Sequence, residues 1–417
     1  SAVAAECARL GAEGWLAAML AAPLSDDAAA AHTLAAVAAA CADSGVQLWT
    51  EVDLARLEFS GLGTESYHES CAIANWSSAA EVQRCELDGG PRRPRTSELA
   101  VQVAMASRLN RLVSLGVAGL RLAGAALIPA ADLAAALELL RPVRADIVSA
   151  LGLGDGAHPT IVLELWPKGL RPPDAATMPP ELTAAAHPEI FVTDRAWSRR
   201  AAESWRCAAR GDECAESLEA LTSMSARDAP ARTELLSSEE VGYAAATAWT
   251  LALPGGVATV ATPFERRCDD GAAAIGGLPL LRAEIVGAGG LRHIASPDND
   301  TVAFARGVET RSAARRHAWL LVSRAFASNG TMEFETGLPG GDYCNVLGAD
   351  AEAGVACGGG CGTPRPCAER VRVDWRGRMS MTANRSVALH TGASELDAVG
   401  LSLAEVLAIV VGWALLG

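Results

Sequence analysis

The sequence predicts an α/β fold with a parallel sheet, followed by an all-β module. Through about residue 165, apolar runs of strand length alternate with longer stretches of helical periodicity, which is the order that βα units produce. After about residue 290, short apolar segments are separated by turn residues, as in the Gly- and Pro-rich stretch 337–341. Short strands between frequent turns are typical of an antiparallel sheet.

The elements of the α/β part follow one another along the chain. After the end of a helix at 2–10, we expect strands within Trp15–Leu24, Gly45–Asp53, Gly116–Leu122 and Thr160–Leu165. Between them the periodicity predicts helices over 28–43, 97–115 and 130–151. The helix over 97–115 is expected to bury an apolar stripe made of Leu99, Val103, Leu109, Leu112 and Val113.

The all-β part is predicted from four segments of alternating or apolar character. They are Thr301–Arg306, Ala318–Ala325, Met332–Thr336 and Arg370–Asp374. Each is bounded by turn residues, so we expect consecutive antiparallel strands.

Composition and charge narrow the function classes. Half of the residues are apolar and a fifth are charged, which indicates a globular chain. The net charge of −14 leaves no basic face to neutralise phosphates, so we expect no nucleic-acid partner.

The cysteines and glycosylation sequons predict an oxidising, secretory compartment. The chain has eleven cysteines, and four Asn-x-Ser/Thr sequons begin at Asn75, Asn299, Asn329 and Asn384. Cys207 and Cys214 are close enough in sequence to pair. The candidate partners of Cys344 are Cys357, Cys361 and Cys367, and the alternative for each pair is a reduced core cysteine. We therefore expect a secreted or cell-surface glycoprotein with disulfides.

The two ends of the chain carry further expectations. The sequence does not begin with methionine, so we expect the N-terminus to be incomplete. The apolar run Leu401–Gly417 follows small residues and a short polar spacer, an order that resembles a glycolipid-anchor signal. Membrane attachment through this tail is the prediction, and the alternatives are a spanning helix or a helix packed on the protein.

The run GVAGLRLAGAALIP at Gly116–Pro129 resembles the fourth-strand motif of the α-amylases, glycoside hydrolases of the animal and actinomycete type. Further segments resemble the same family in the same order, namely 4–7, 81–87, 243–256, 299–307 and 336–344. The resemblance implies a (β/α)8 TIM-type barrel over 1–56 and 97–288 that lacks its first strand. It also implies a small inserted B domain over 57–96, a C-terminal antiparallel β-sandwich over 292–395 and a hydrophobic tail over 396–417.

The resemblance also implies site residues. The family's acid/base glutamate matches Glu164, its third carboxylate matches Asp228, and its substrate-side arginine matches Arg121. The nucleophilic aspartate falls on Ala123. Retaining glycoside hydrolysis needs two carboxyl groups, so the resemblance implies a pseudoenzyme with impaired catalysis. The alternatives are an active α-amylase that uses Glu51, Asp53 or Glu164 in a displaced role, and a cell-surface carbohydrate-binding or interaction protein. The implied partner is an α-glucan or another carbohydrate.

The family's calcium site is expected to be lost, and no cofactor is predicted. Three of its ligand positions fall on Ala55, Arg84 and Leu127, which cannot supply the six to eight oxygens that calcium needs. The resemblance further pairs Cys71 with Cys85 across the B domain. We interpret the remaining tryptophans as core residues rather than as platforms that stack on a sugar ring; they are Trp49, Trp76, Trp166 and Trp249.

Overall fold

The computed structural model describes residues 7–8, 17–20, 28–56, 59, 61–76, 78–87, 90–165, 190–192, 195–225, 242–254, 290–307, 317–324, 331–345, 347, 370–382 and 386–390. The chain divides into two compact units, residues 1–196 and 197–417. The predicted boundaries of the barrel, the B domain and the sandwich stay predictions.

A parallel sheet organises the first unit. Its strands are β1 (Ala17–Leu20), β2 (Gln47–Asp53), β3 (Gly119–Ala123), β4 (Thr160–Glu164) and β5 (Ile190–Val192). They lie in the order β1-β2-β3-β4-β5, and every neighbouring pair is parallel. Chain order equals spatial order, as expected when each crossover adds the next strand. The α/β prediction is confirmed, whereas closure into an eight-stranded barrel stays a prediction.

Five helices whose bounds lie among the described residues of the first unit connect or flank these strands. They are α1 (Ala28–Asp43), α2 (Ala79–Arg84), α3 (Leu99–Ser114), α4 (Ala130–Glu138) and α5 (Ala145–Ala150). Short 3-10 turns span Leu54–Arg56, Thr64–Ser66 and Ala125–Leu127.

The structure corrects two sequence-based expectations about helices. The predicted helix over 130–151 is two helices, because Pro142 lies between them, lacks an N–H donor and restricts the residue before it. Helix α3 buries Val101, Met105, Leu109, Leu112 and Val113, whereas Leu99 and Val103 are exposed. The predicted stripe was therefore wrong at its first two positions, which lie away from the face that repeats every three or four residues.

Helices precede the antiparallel strands in the second unit. Helix α6 (Arg195–Ala209) begins just before the unit does, and α7 (Leu218–Ser225) and α8 (Tyr243–Ala252) follow. Trp249 of α8 is fully buried, and its ring centroid lies 5.3 Å from that of Trp197 on α6.

Antiparallel sheets follow residue 290, as predicted. The strands are β6 (Leu291–Asp298), β7 (Thr301–Arg306), β8 (Ala318–Ser323), β9 (Thr331–Glu335), β10 (Gly341–Cys344), β11 (Arg370–Val373), β12 (Arg378–Thr382) and β13 (Val387–His390). Sheets form in the orders β13-β8-β7-β6, β10-β11 and β12-β9. Side chains from all three sheets share one core, which includes Trp319, Phe334, Tyr343, Val371 and Met379.

Disulfides confirm part of the cysteine predictions. Cys71 pairs with Cys85, with Cα atoms 4.8 Å apart, and Cys207 pairs with Cys214. A third pair, Cys7–Cys41, was not predicted. Cys344 is also disulfide-bonded, and its partner lies outside the described residues.

Several predicted features fall where the structure gives no description. Those outside the described residues are Asp228, Trp166, Asn329, Asn384, Cys357, Cys361, Cys367 and the tail over 396–417. Within the described part of the chain, none of the helices has the length and apolar character needed to cross a bilayer.

Candidate active site

Three neighbouring strands end in one row at the carboxyl edge of the parallel sheet. Asp53 of β2 pairs in register with Ala123 of β3, and Ala123 pairs with Glu164 of β4. Paired residues of a parallel sheet point to the same face, so these side chains share a face. The row therefore carries a carboxylate at each end and a methyl group in the middle.

Arg121 lies two residues before Ala123 on β3 and contacts two carboxylates. Its Nη2 donates to Glu164 Oε2 at 2.5 Å, and its Nη1 lies 3.3 Å from Glu51 Oε2. The Glu164 side chain is 5% exposed, that of Arg121 is 18% exposed and that of Glu51 is 32% exposed. We call Glu51, Arg121 and Glu164 the charged row. Since a guanidinium only donates, both carboxylates act as acceptors here.

Ala123 is held in a turn that leaves little room. It is buried, and Gly124 follows it with φ +83°, a conformation that favours glycine. The Gly124 N–H donates to the carbonyl of Glu164 at 2.8 Å, and Ala126 N donates to Leu165 O at 2.9 Å. The ends of β3 and β4 are thus tied together directly beside the candidate acid/base residue.

Asp53 contacts residues that directly follow it in the chain. Its Oδ1 accepts from Ala55 N at 2.8 Å, which caps the 3-10 turn Leu54–Arg56. Its Oδ2 lies 3.6 Å from Arg56 Nε. One oxygen is therefore engaged by the backbone and the other faces a cation.

Trp49 lies at the base of the same strand. An added Cβ on Gly119 would fall 2.2 Å from the Trp49 ring, so the ring covers Gly119. Trp49 is buried, and its Nε1 donates to Gln47 Oε1. Like Trp249, it is a core residue and offers no open ring to a sugar.

Two of the expected calcium positions lie in an apolar cluster. Ala55 and Leu127 are buried together with Val82, and partly buried side chains cover them: Ile73, Trp76, Leu87, Ala126 and Leu165. We call this set the junction cluster. Carbon atoms therefore surround the positions that would have to supply oxygen ligands.

Two arginines, Arg84 and Arg93, belong to the same part of the chain as the junction cluster. Arg84 is the exposed last residue of α2. Arg93 is buried, and its Nε donates to the carbonyl of Cys85 at 3.3 Å. Burial lowers the pKa of Arg93 to about 10, although the negative charge of Asp53 acts in the opposite direction.

Sequence reasoning found part of this arrangement. Arg121 and Glu164 were predicted and lie in contact, and Glu51 was considered only as an alternative acid. Residues two apart on a strand share a face, so the sequence places Glu51 with Asp53 and Arg121 with Ala123, but the pairing of Glu51 with Arg121 depends on the register between two strands. Arg93 was missed, since nothing in its sequence context distinguishes it from the exposed arginines around it.

Curated α-amylases are similar to this chain over short stretches. An α-amylase of Thermomonospora curvata is 46% identical over 71 residues, which is 17% of this chain and 12% of that protein. An α-amylase-related protein of Drosophila varians is 30% identical over 122 residues, covering 29% of this chain and 24% of that protein. The matches thus span less than a third of these relatives. No protein-family model matches the chain.

Solved α-amylase structures are similar over nearly the whole chain. A mutant of α-amylase I from Eisenia fetida in complex with maltohexaose superposes with a TM-score of 0.68 at 16% identity, covering 93% of this chain and 94% of that one. An Anoxybacillus α-amylase gives a TM-score of 0.63 at 11% identity, with 93% and 89% coverage. At such identities the likeness concerns the fold alone. Together with the sequence matches, it confirms the resemblance to α-amylases.

Proposed function

We propose that this chain is an α-amylase-like protein that does not hydrolyse α-1,4-glucans at the rate of an amylase. The observation that carries the proposal is the row of strand ends in which Ala123 lies between Asp53 and Glu164. A retaining glycosidase uses one carboxylate as nucleophile and a second carboxyl as acid/base, about 5–5.5 Å apart. A methyl side chain cannot form the covalent intermediate. Loss of a nucleophile costs about 10⁴–10⁶ in kcat, or about 6–8 kcal/mol.

The charged row supports the same conclusion. A general acid must bring a proton to the glycosidic oxygen. The Glu164 carboxylate instead accepts from Arg121, which has no proton acceptor to offer in return. Glu164 is therefore suited to hold the arginine rather than to protonate a leaving group.

The first alternative is an active α-amylase that uses a displaced carboxylate. Its candidates, Glu51 and Asp53, are each engaged: Glu51 by Arg121, and Asp53 by Ala55 N and Arg56. Releasing either would cost these contacts. Asp228 remains a candidate third carboxylate on sequence grounds.

A second candidate function is carbohydrate binding without turnover, which Trp375 favours. This residue is 81% exposed at the turn between β11 and β12, and the Arg376 guanidinium carbon lies 4.6 Å from its ring centroid. Asp374 fixes the turn, because its Oδ1 accepts from Arg376 N and Arg378 N, both at 2.8 Å. A rigid, exposed indole beside a cation offers one apolar face and hydrogen-bond donors to a sugar ring.

We propose that no calcium ion supports this fold. The apolar junction cluster and the buried Arg93 support this proposal. An ion bound only by the folded state would add about 2.7 kcal/mol at a hundredfold excess over its Kd. A chelator is therefore expected to leave the melting temperature unchanged, and a sharp drop would contradict the proposal.

We place the protein in an oxidising, secretory compartment. Three described disulfides and the bonded Cys344 support this, because disulfides persist where thiols are not kept reduced.

The deciding experiment measures reducing-end release from starch and maltohexaose. The purified chain is compared with the Glu164→Gln variant, which removes the candidate acid/base residue but keeps its shape. We expect both to release reducing ends at the same background rate. A rate that falls more than a hundredfold in Glu164→Gln would show that the native chain is an enzyme. Glu51→Gln and Asp53→Asn would then identify the displaced carboxylate.

A binding assay tests the second candidate function, carbohydrate binding without turnover. Retention of the chain in native gels that contain amylose, lost in Trp375→Ala and kept in the control Trp375→Phe, would favour binding without turnover.

A further inference from the structure

Asparagine is rare in this chain and is concentrated in one tripeptide context. The sequence has six asparagines. Four of them are followed two positions later by serine or threonine, with no proline between: Asn75, Asn299, Asn329 and Asn384. Serine and threonine together make up about one residue in nine. Chance would therefore place fewer than one of the six in this context. Asparagine thus occurs in this sequence mainly at positions that can accept a glycan.

The two asparagines outside sequons have structural roles. The Asn110 side chain donates to Leu139 O at 2.9 Å and accepts from Arg141 N at 2.7 Å. Asn345 is buried, and its Oδ1 accepts from Leu347 N at 3.1 Å and from Ala388 N at 3.0 Å. Each uses its amide to satisfy buried or loop backbone groups, which explains its presence without any modification.

The two sequon asparagines among the described residues lie in a different setting. Asn75 is exposed in the loop before α2, where its carbonyl accepts from Ser78 N at 3.0 Å. Asn299 is exposed at the turn between β6 and β7, where its carbonyl accepts from Leu218 N at 3.0 Å. The backbone of each turn is thus fixed while the residue itself lies at the surface. Exposed turns are where a bulky, hydrated glycan can be accommodated without disturbing a core.

We propose that Asn75 and Asn299 carry N-linked oligosaccharides. In the transfer, Asn Nδ2 attacks the anomeric carbon of an oligosaccharide joined to a lipid diphosphate. A C–N bond forms, the bond between the anomeric carbon and the diphosphate oxygen breaks, the amide loses one proton, and the lipid diphosphate leaves. No oxidant or reductant is involved. The inference does not depend on whether the protein hydrolyses glucans.

The structure also constrains when the transfer at Asn299 takes place. Thr301, the hydroxyl residue of that sequon, is 1% exposed and its Oγ1 donates to Ser323 Oγ at 3.1 Å. A transferase that must reach this hydroxyl therefore acts before β7 pairs with β8. Modification at this site accompanies synthesis and precedes folding.

The test uses the full chain directed into the secretory pathway of a eukaryotic cell. Total lysate and medium are treated with peptide N-glycosidase in heavy-oxygen water, and peptides are searched for conversion of asparagine to labelled aspartate. We expect conversion at both Asn75 and Asn299. Because total lysate is included, a variant that fails to fold still reports whether transfer occurred.

Matched variants assign each site. Ser77→Ala is expected to abolish conversion at Asn75, whereas the neighbouring Ser78→Ala keeps the sequon and the glycan. Asn299→Gln is expected to remove the second glycan, whereas Thr301→Ser retains it. A peptide that contains only unmodified Asn75, or only unmodified Asn299, overturns the assignment of that site, even when Asn329 or Asn384 is modified.

Discussion

The junction cluster and the charged row lie in the same unit and depart from the α-amylase pattern in opposite ways. In the junction cluster, Ala55 and Leu127 stand at expected ligand positions and are buried among carbon atoms. In the charged row, Arg121 contacts both Glu164 and Glu51. Apolar replacement leaves nothing that needs a partner, whereas a largely buried guanidinium still requires compensating charge. The comparison teaches that apolar side chains can fill a buried position without a specific partner, whereas a buried charge is tolerated only beside its counter-charge.

The largest expected effect tests the charged row. Glu164→Gln should lower the free energy of unfolding by about 3–5 kcal/mol, because it leaves a poorly solvated arginine without its closest carboxylate. Glu51→Gln is the control, and since its side chain is a third exposed we expect about 1 kcal/mol or less. Urea denaturation at neutral pH measures both. Equal losses would mean that Arg121 does not depend on Glu164 more than on Glu51.

The junction cluster should respond as a core does. Leu127→Ala is expected to cost about 2–5 kcal/mol, through lost transfer energy and the cavity left behind. Leu99→Ala removes the same atoms from a side chain that is 69% exposed and should change stability by no more than about 0.5 kcal/mol. If calcium instead stabilised the Leu127→Asn variant, the cluster would be a latent metal site. The conclusion that it behaves as apolar core would then be wrong.

Removal of the disulfides should rank by loop length. The pairs Cys7–Cys41, Cys71–Cys85 and Cys207–Cys214 close loops with sequence separations of 34, 14 and 7. The chain-entropy relation gives about 3.8, 3.0 and 2.4 kcal/mol for replacing each pair by serine. Thermal unfolding of the three double variants tests this order. A larger loss for Cys71–Cys85 than for Cys7–Cys41 would show that the disulfide beside the junction cluster stabilises the fold by more than the loop-closure entropy alone.

The smallest expected effect is a pH dependence of stability that arises from His68. Burial, together with the charges of Arg84 and Arg95, lowers the pKa of His68, while Glu98 opposes the shift. The unfolded chain therefore binds a proton more readily than the folded one, and stability falls as pH drops below about 6.5. His68→Gln should show a shallower loss of melting temperature between neutral and mildly acidic pH. A steeper loss in the variant would reverse the inferred sign.

Sequence reasoning was most successful where a single element carries its own signal. The bounds of helix 28–43 and strand 301–306 match the structure, because alanine-rich helical periodicity and a β-branched or aromatic apolar run are local properties. The split of the helix predicted over 130–151 was also decidable locally, since Pro142 is visible in the sequence. The exposed positions Leu99 and Val103 were not decidable, because which face of α3 packs depends on partners far along the chain.

The sequence by itself determined the chemical inventory of the candidate site. Ala123 cannot act as a nucleophile in any fold, and Ala55 and Leu127 cannot offer side-chain oxygens to a metal. Tertiary structure alone decided the partners. The register of β2, β3 and β4 brings Arg121 into contact with Glu51 and Glu164, although Arg121 and Glu164 are 43 residues apart along the chain. Pairing between distant segments depends on strand register and helix packing, which are global properties of the fold.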